Sequence, residues 1–237
     1  MVCEHLVEKS LKWHTTVWYT GHTVKRVNWG VILIGYYNYT VWLTFVGMLS
    51  SVVGMGFAVQ GKIIAAVICL MFSGFCDMFD GIVARTKKDR TDEEKRFGIQ
   101  LDSLSDIVCF GVLPFVIGVC SGAKEWWQIA IMALFALAGL IRLAYYNVTE
   151  ETRQQHTDEK RKHYLGVPIT SSALTVPLLF CFRGLLAGAF PIAYTLLLLV
   201  NGALFVVPVQ VKKPSKTGLA AMLVIGVICT ALILIFK

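Results

Sequence analysis

Residues 63–85 read IIAAVICLMFSGFCDMFDGIVAR, an apolar run whose latter part carries two acidic side chains, Asp77 and Asp80. A helix rises about 1.5 Å per residue, so a run of this length crosses roughly 30 Å of hydrocarbon. Working outward, similar runs occupy 37–60, 98–121, 126–147, 165–187, 190–211 and 217–236. The chain of 237 residues is 56% hydrophobic and only 16% charged, with mean hydropathy +0.66. Soluble domains carry about 25% charge. These values exclude an ordinary soluble protein and predict an all-α, polytopic integral membrane helical bundle of about seven transmembrane helices. Two regions are expected: an N-terminal cytoplasmic or interfacial segment over 1–36 and a membrane-embedded domain over 37–237.

Glu4, Glu8, Lys9 and Lys12 interrupt the first residues, so the pattern lacks the apolar core of a cleavable signal. Trp13, Trp18 and Trp29 suit an interfacial segment. Residues 30–36 are apolar but too few to span alone. The cysteines stand singly at 3, 69, 76, 109, 120, 181 and 229. That distribution fits small buried side chains rather than zinc or disulfides. With the N-terminus assigned to the inside and the connections alternating, 18 of the 22 Lys and Arg fall on the inner side. Such a split orients a membrane protein and accounts for the net charge of +7 without nucleic acid binding.

Of the 15 acidic residues, 11 lie in loops or tails. The others are Asp77, Asp80, Asp102 and Asp106, within or at the ends of apolar runs. An ionised Asp near a helix centre costs about 2.5–3.5 kcal/mol on insertion, so four together cost on the order of 10 kcal/mol unless compensated. Asp77 and Asp80 are three positions apart and Asp102 and Asp106 four apart, so each pair shares one helix face. The 12 residues between Arg85 and Gly98 form a loop that makes the two helices antiparallel neighbours. Four carboxylates then converge, and Arg85 and Arg142 do not balance them. Hard oxygens suit Mg²⁺ or Mn²⁺, and two ions sharing carboxylates are a recurrent device for phosphoryl chemistry. Polar glue between helices and a proton or ion pathway are the other readings of the bare carboxylates. Gly74, Gly81, Ala84 and Gly98 flank the pairs, where small residues permit close helix packing or the approach of a base or phosphate to the backbone.

Taken together, Asp77-x2-Asp80-Gly81-x2-Ala84-Arg85 and Gly98-x3-Asp102-x3-Asp106 resemble the signature of the CDP-alcohol phosphatidyltransferase family. The stretch Thr86–Phe97 is longer than in the shortest family pattern and reads as a charged loop insertion. Leu101–Pro114, Arg142–Asn147, Tyr164–Pro168 and Lys212–Lys216 are similar to the bacterial and archaeal phosphatidylserine synthases of that family. The resemblance runs from about residue 37 to 216.

It implies a six-helix catalytic core plus one further helix. It also implies two divalent cations, Mg²⁺ or Mn²⁺, on Asp77, Asp80, Asp102 and Asp106, with Asp106 as general base. Gly81, Ala84, Arg85 and Gly98 match positions at the CDP-lipid, and Thr44 is the one match in the first crossing. Arg142 is the candidate for the acceptor, because a guanidinium binds a carboxylate or phosphate oxygen. The implied reaction passes the phosphatidyl group of CDP-diacylglycerol to L-serine and releases CMP, at the cytoplasmic face of a homodimer surrounded by membrane lipids. Glycerol 3-phosphate or an inositol phosphate is the alternative acceptor. Cation- or proton-coupled transport is the alternative from another class, although no internal repeat supports it. All five histidines lie outside the acidic set.

Overall fold

The computed structural model describes residues 35–87, 89–156, 163–212 and 216–235. In lipid a backbone must satisfy its own hydrogen bonds, so apolar runs become helices. Helix α1 (Trp42–Val59) turns back into α2 (Ile63–Ala84). Gly61, with φ of 79°, closes the turn. Its N–H donates to the Ala58 carbonyl and the Lys62 N–H to that of Phe57, each over 2.9 Å, which is the Schellman pattern that glycine permits.

Lipid tails are as apolar as leucine, so close packing and hydrogen bonds must hold membrane helices together. The α1–α2 contact has both. A Cβ on Gly47 would stand 3.1 Å from the Cβ of Cys76, and one on Gly54 2.8 Å from that of Cys69. Between these glycines the Ser51 and Ser73 hydroxyls meet at 2.8 Å, and Ser73 reaches the Gly47 carbonyl at 2.8 Å.

Helix α3 (Asp92–Asp106) corrects the sequence reading: it starts at Asp92, not near 98. Thr91 caps it, its hydroxyl accepting from the Glu94 N–H while the Glu94 carboxylate accepts from the Thr91 N–H, both over 3.2 Å. Asp92, Glu93 and Glu94 fill the first turn, where the helix dipole favours negative charge. Half of the expected loop insertion, residues 92–97, is therefore helix, and residues 85–91 make the connection. Helix α3 continues through a wider π-helical stretch (Ile107–Val112) into α4 (Leu113–Cys120). Pro114 has no N–H to offer the Phe110 carbonyl. The Ser172 hydroxyl donates to that carbonyl instead, over 3.1 Å.

Helix α5 (Trp126–His156) outruns its expected end at 147. After it come strand β1 (His163–Leu165), a 3₁₀ turn (Ile169–Ser171), α6 (Ser172–Cys181) and the short α7 (Arg183–Leu186). A second 3₁₀ turn (Ala187–Ala189), α8 (Phe190–Val206), strand β2 (Gln210–Lys212) and α9 (Lys216–Ile235) complete the order. The strands pair antiparallel with His163 opposite Lys212. Helix α5 packs along α8, and α9 along α6.

Among the described residues, five segments are long and apolar enough to cross a membrane: Trp42–Val59, Ile63–Ala84, Asp92–Cys120, Trp126–Thr152 and Arg183–Val206. Ile169–Cys181 and Val224–Ile233 are shorter apolar helices at the places of the expected fifth and seventh runs. The run at 165–187 is not one helix. Pro177 lies inside α6, which ends at Cys181, and Ala187 beyond α7 takes φ of 41°. Exposed Leu49, Val53, Leu134, Leu137, Leu196 and Val200 face outward, while Leu70, Phe110, Leu113, Ile117 and Tyr194 are buried. The chain is an integral membrane protein. The segment before residue 35, with its tryptophans, and the basic stretch 157–162 lie outside the described residues.

Candidate functional site

The turn between α1 and α2 and the connection from α2 to α3 bring all four intramembrane aspartates together. Carboxylate oxygens of Asp77, Asp102 and Asp106 lie within 4.8 Å of one another. Asp80 adjoins Asp102 and is 8% exposed. Its Oδ2 accepts a hydrogen bond from the Thr44 hydroxyl over 3.1 Å. Two like charges about 4 Å apart repel by about 4 kcal/mol at an effective dielectric constant of about 20. A cluster of four therefore calls for positive charge. Among the described residues, the ion pairs Lys87–Glu94, Lys95–Asp92 and Arg96–Glu151 involve none of the four.

Beside the cluster opens a cavity of about 1150 Å³. Asp77, Asp102, Asp106, Gly81, Arg85 and Arg142 line its polar end. The remainder runs between α2, α6 and α9 along Ile68, Met71, Phe72, Leu174 and Val227. A few convergent polar groups on apolar walls form a ligand site, here of a size for an amphipathic molecule.

The glycines divide. A Cβ on Gly74 would stand 2.6 Å from the Cβ of Ala173, so this position packs α2 against α6. At Gly81 the nearest atom is Arg85 Nη1 at 3.8 Å, and the backbone is open to the cavity. At Gly98 a Cβ would stand 2.6 Å from Arg90 Nη2. Ala84 offers its carbonyl to the same side chain, over 3.3 Å. Neither Ala84 nor Gly98 is among the residues lining the cavity, and Thr44 lies behind Asp80.

Arg142, on α5, is 7% exposed, and its Nε donates to the Val167 carbonyl. That carbonyl is held by Gly166, whose φ of 77° and approach to the Phe205 carbonyl, 2.8 Å from an added Cβ, exclude any larger residue. Sequence reasoning gave no role to Ser103 and Asn147. Asn147 Nδ2 donates to Ser103 Oγ over 2.9 Å, which ties α5 to α3 on the cavity wall. For Asn147 the signal was available in the spacing, because Leu143, Tyr146, Asn147 and Glu150 recur at intervals of three and four residues and all line the cavity.

Residues 37–236 match the family model described as CDP-alcohol phosphatidyltransferase. The chain belongs to this family. Among its relatives, the CDP-diacylglycerol–serine O-phosphatidyltransferase of Saccharomyces cerevisiae is 33% identical over 153 residues, 62% of this chain and 54% of the relative. That of Helicobacter pylori is 32% identical over 136 residues, 56% of this chain and 52% of the relative. The archaetidylserine synthase of Methanothermobacter thermautotrophicus is 28% identical over 183 residues, 76% of this chain and 70% of the relative. The chain thus spans about half the length of the first two relatives.

The acidic cluster of this family member fits a divalent cation by its own chemistry. All its donors are hard carboxylate oxygens, and separations within 4.8 Å let them reach one ion at metal–oxygen bonds of about 2.1–2.6 Å.

Proposed function

We propose that this chain is a CDP-diacylglycerol–serine O-phosphatidyltransferase, which joins the phosphatidyl group of CDP-diacylglycerol to L-serine and releases CMP. The observation that carries this reading is the cavity, with an acidic cluster and two arginines at one end and apolar walls beyond. Similarity to two enzymes of that name supports it.

Asp77, Asp80, Asp102 and Asp106 would hold two divalent cations, Mg²⁺ or Mn²⁺, which when bound neutralise phosphate charge and favour the departure of CMP. Asp106 takes the proton of the serine hydroxyl, a poor nucleophile until it loses that proton. The serine oxygen then bonds to the phosphorus that carries diacylglycerol. The bond from that phosphorus to the CMP oxygen breaks, and CMP leaves with the electron pair. Arg142 binds the serine carboxylate and aligns the hydroxyl for attack. Gly81 leaves its backbone open to the CDP portion, and Arg85 meets the phosphate oxygens. Thr44, Ala84 and Gly98 support that end from behind, and the acyl chains lie along the apolar walls. The inward bias of the basic residues supports a cytoplasmic site. A homodimer is the assembly that the family resemblance implies.

One observation favours a second donor: the archaetidylserine synthase aligns over more of both chains than the other two relatives do. An archaeal-type lipid on the CDP is the second reading, with serine still the acceptor.

The test is CMP release by the purified protein with Mg²⁺ or Mn²⁺, comparing CDP-diacylglycerol with its archaeal-type counterpart. Serine, glycerol 3-phosphate and inositol phosphate serve as acceptors. Serine-dependent release is expected. Release only with a phosphorylated acceptor overturns the serine assignment, and no release with any acceptor brings forward the transport reading.

A further inference from the structure

The connection between α2 and α3 is built around a side chain with no part in the reaction above, Arg90. Its Nη1 donates to the Ala84 carbonyl over 3.3 Å and its Nη2 to the Glu94 carbonyl over 3.2 Å. Ala84 closes α2, so its carbonyl is among the last that a helix leaves unbonded. Glu94 lies in the first turn of α3. One guanidinium therefore joins the end of one acidic helix to the start of the other.

Its position relative to the cluster is specific. Ala84 is about one helical turn beyond Asp80, and Gly98, which makes room for Nη2, is about one turn before Asp102. Around the bridge, Lys87 pairs with Glu94 at 3.3 Å, and the Tyr36 and Tyr39 hydroxyls reach Glu93 and Thr86 at 3.0 Å each. The buried Nε of Arg90 has no hydrogen-bond partner among the described residues. An unmet buried donor is a cost, which stability alone does not account for.

We propose that Arg90 is a positioning residue: its planar fork sets the spacing of Asp77 and Asp80 against Asp102 and Asp106. Gly98 leaves room for that guanidinium, since an added Cβ would stand 2.6 Å from Nη2. The inference rests on the reading of the four aspartates as cation ligands. Arginine presents donors in a rigid plane that holds two carbonyls at a set separation, whereas a lysine ammonium is a point charge on a flexible stem. Supporting groups outside the ligand set change metal affinity by about 10- to 100-fold when removed.

The experiment measures Mn²⁺ binding to the full-length protein in lipid nanodiscs by loss of the free-ion electron paramagnetic resonance signal. Thermal stability without metal and CMP release run in parallel. Arg90→Ala is expected to weaken Mn²⁺ binding about tenfold, with metal-free stability and the KM for serine little changed. Arg90→Lys is expected to be as weak as Arg90→Ala, and recovery by lysine overturns the bridging role in favour of simple charge. Gly98→Ala pushes the guanidinium off its carbonyls, so it is expected to weaken binding too, and the double variant to be no worse than Arg90→Ala alone. An additive loss in the double variant means that Gly98 acts by itself and overturns the proposal. Unchanged Mn²⁺ binding in Arg90→Ala removes the positioning role while leaving the cation site standing. A wild-type protein that binds no Mn²⁺ removes both.

Discussion

The Thr44 hydroxyl donates to Asp80 over 3.1 Å, joining the first turn of α1 to the acidic end of α2. Asp80 is the most enclosed partner of the cluster on that side, and a buried carboxylate that loses a donor is destabilised by about 1–3 kcal/mol. Thr44→Val is therefore expected to raise the Mg²⁺ concentration for half-maximal CMP release about tenfold, with Thr44→Ser close to wild type. Metal titrations of CMP release check this, and an unshifted curve for the valine variant removes Thr44 from the site.

Gly74 and Gly81 stand seven positions apart on α2 and are expected to fail in different ways. A methyl at Gly74 would meet the Ala173 Cβ at 2.6 Å, and overpacking of this kind costs about 1–3 kcal/mol. A methyl at Gly81 meets nothing nearer than Arg85 Nη1 at 3.8 Å but projects into the cavity. Gly74→Ala should lower thermal stability, with a smaller effect on KM for the CDP-lipid than Gly81→Ala has. Gly81→Ala should leave stability intact and raise that KM. Equal effects on both measurements would show that the two glycines share one role.

This contrast marks what the sequence makes legible. Apolar length reveals the membrane bundle, and the spacing of Asp77, Asp80, Asp102 and Asp106 reveals their convergence, because both follow from helix geometry alone. The role of each small residue depends on the neighbour opposite, so Gly74, Gly81 and Gly98 look alike in the chain and differ in the fold. The start of α3 was readable but outweighed. Thr91 followed by Glu94 is a capping box, yet the charge of 86–97 suggested a loop. The interruption at 182–189 was harder to read, because most of its residues are apolar and Pro177, Gly184 and Gly188 are types that membrane helices also tolerate.

Arg142 Nε is engaged by the Val167 carbonyl, while the residue lines the polar end of the cavity. A guanidinium held against a backbone carbonyl keeps its planar fork in one orientation. Arg142→Lys keeps the charge but loses that geometry, and a charge-assisted hydrogen bond contributes about 1.5–3 kcal/mol. The KM for serine should rise about tenfold or more, with KM for the CDP-lipid nearly constant. Steady-state kinetics with each substrate varied in turn make the check. A rise confined to the CDP-lipid would reassign Arg142 to the donor side.

Asp106 is the residue for which ligand and base roles predict different curves. It sits at the end of α3, immediately before the π-helical stretch, with its carboxylate within 4.8 Å of those of Asp77 and Asp102. A residue that only helps to hold a cation is compensated by more cation, whereas a general base is not, and its loss costs about 10²- to 10⁴-fold. Asp77→Asn should therefore recover part of its CMP release as Mn²⁺ is raised. Asp106→Asn should stay at least about a hundredfold below wild type at every Mn²⁺ concentration. Chelation should abolish activity in the wild type, and added Mg²⁺ or Mn²⁺ should restore it. Recovery of Asp106→Asn at high Mn²⁺ would make Asp106 a ligand alone and move the base to another carboxylate of the cluster.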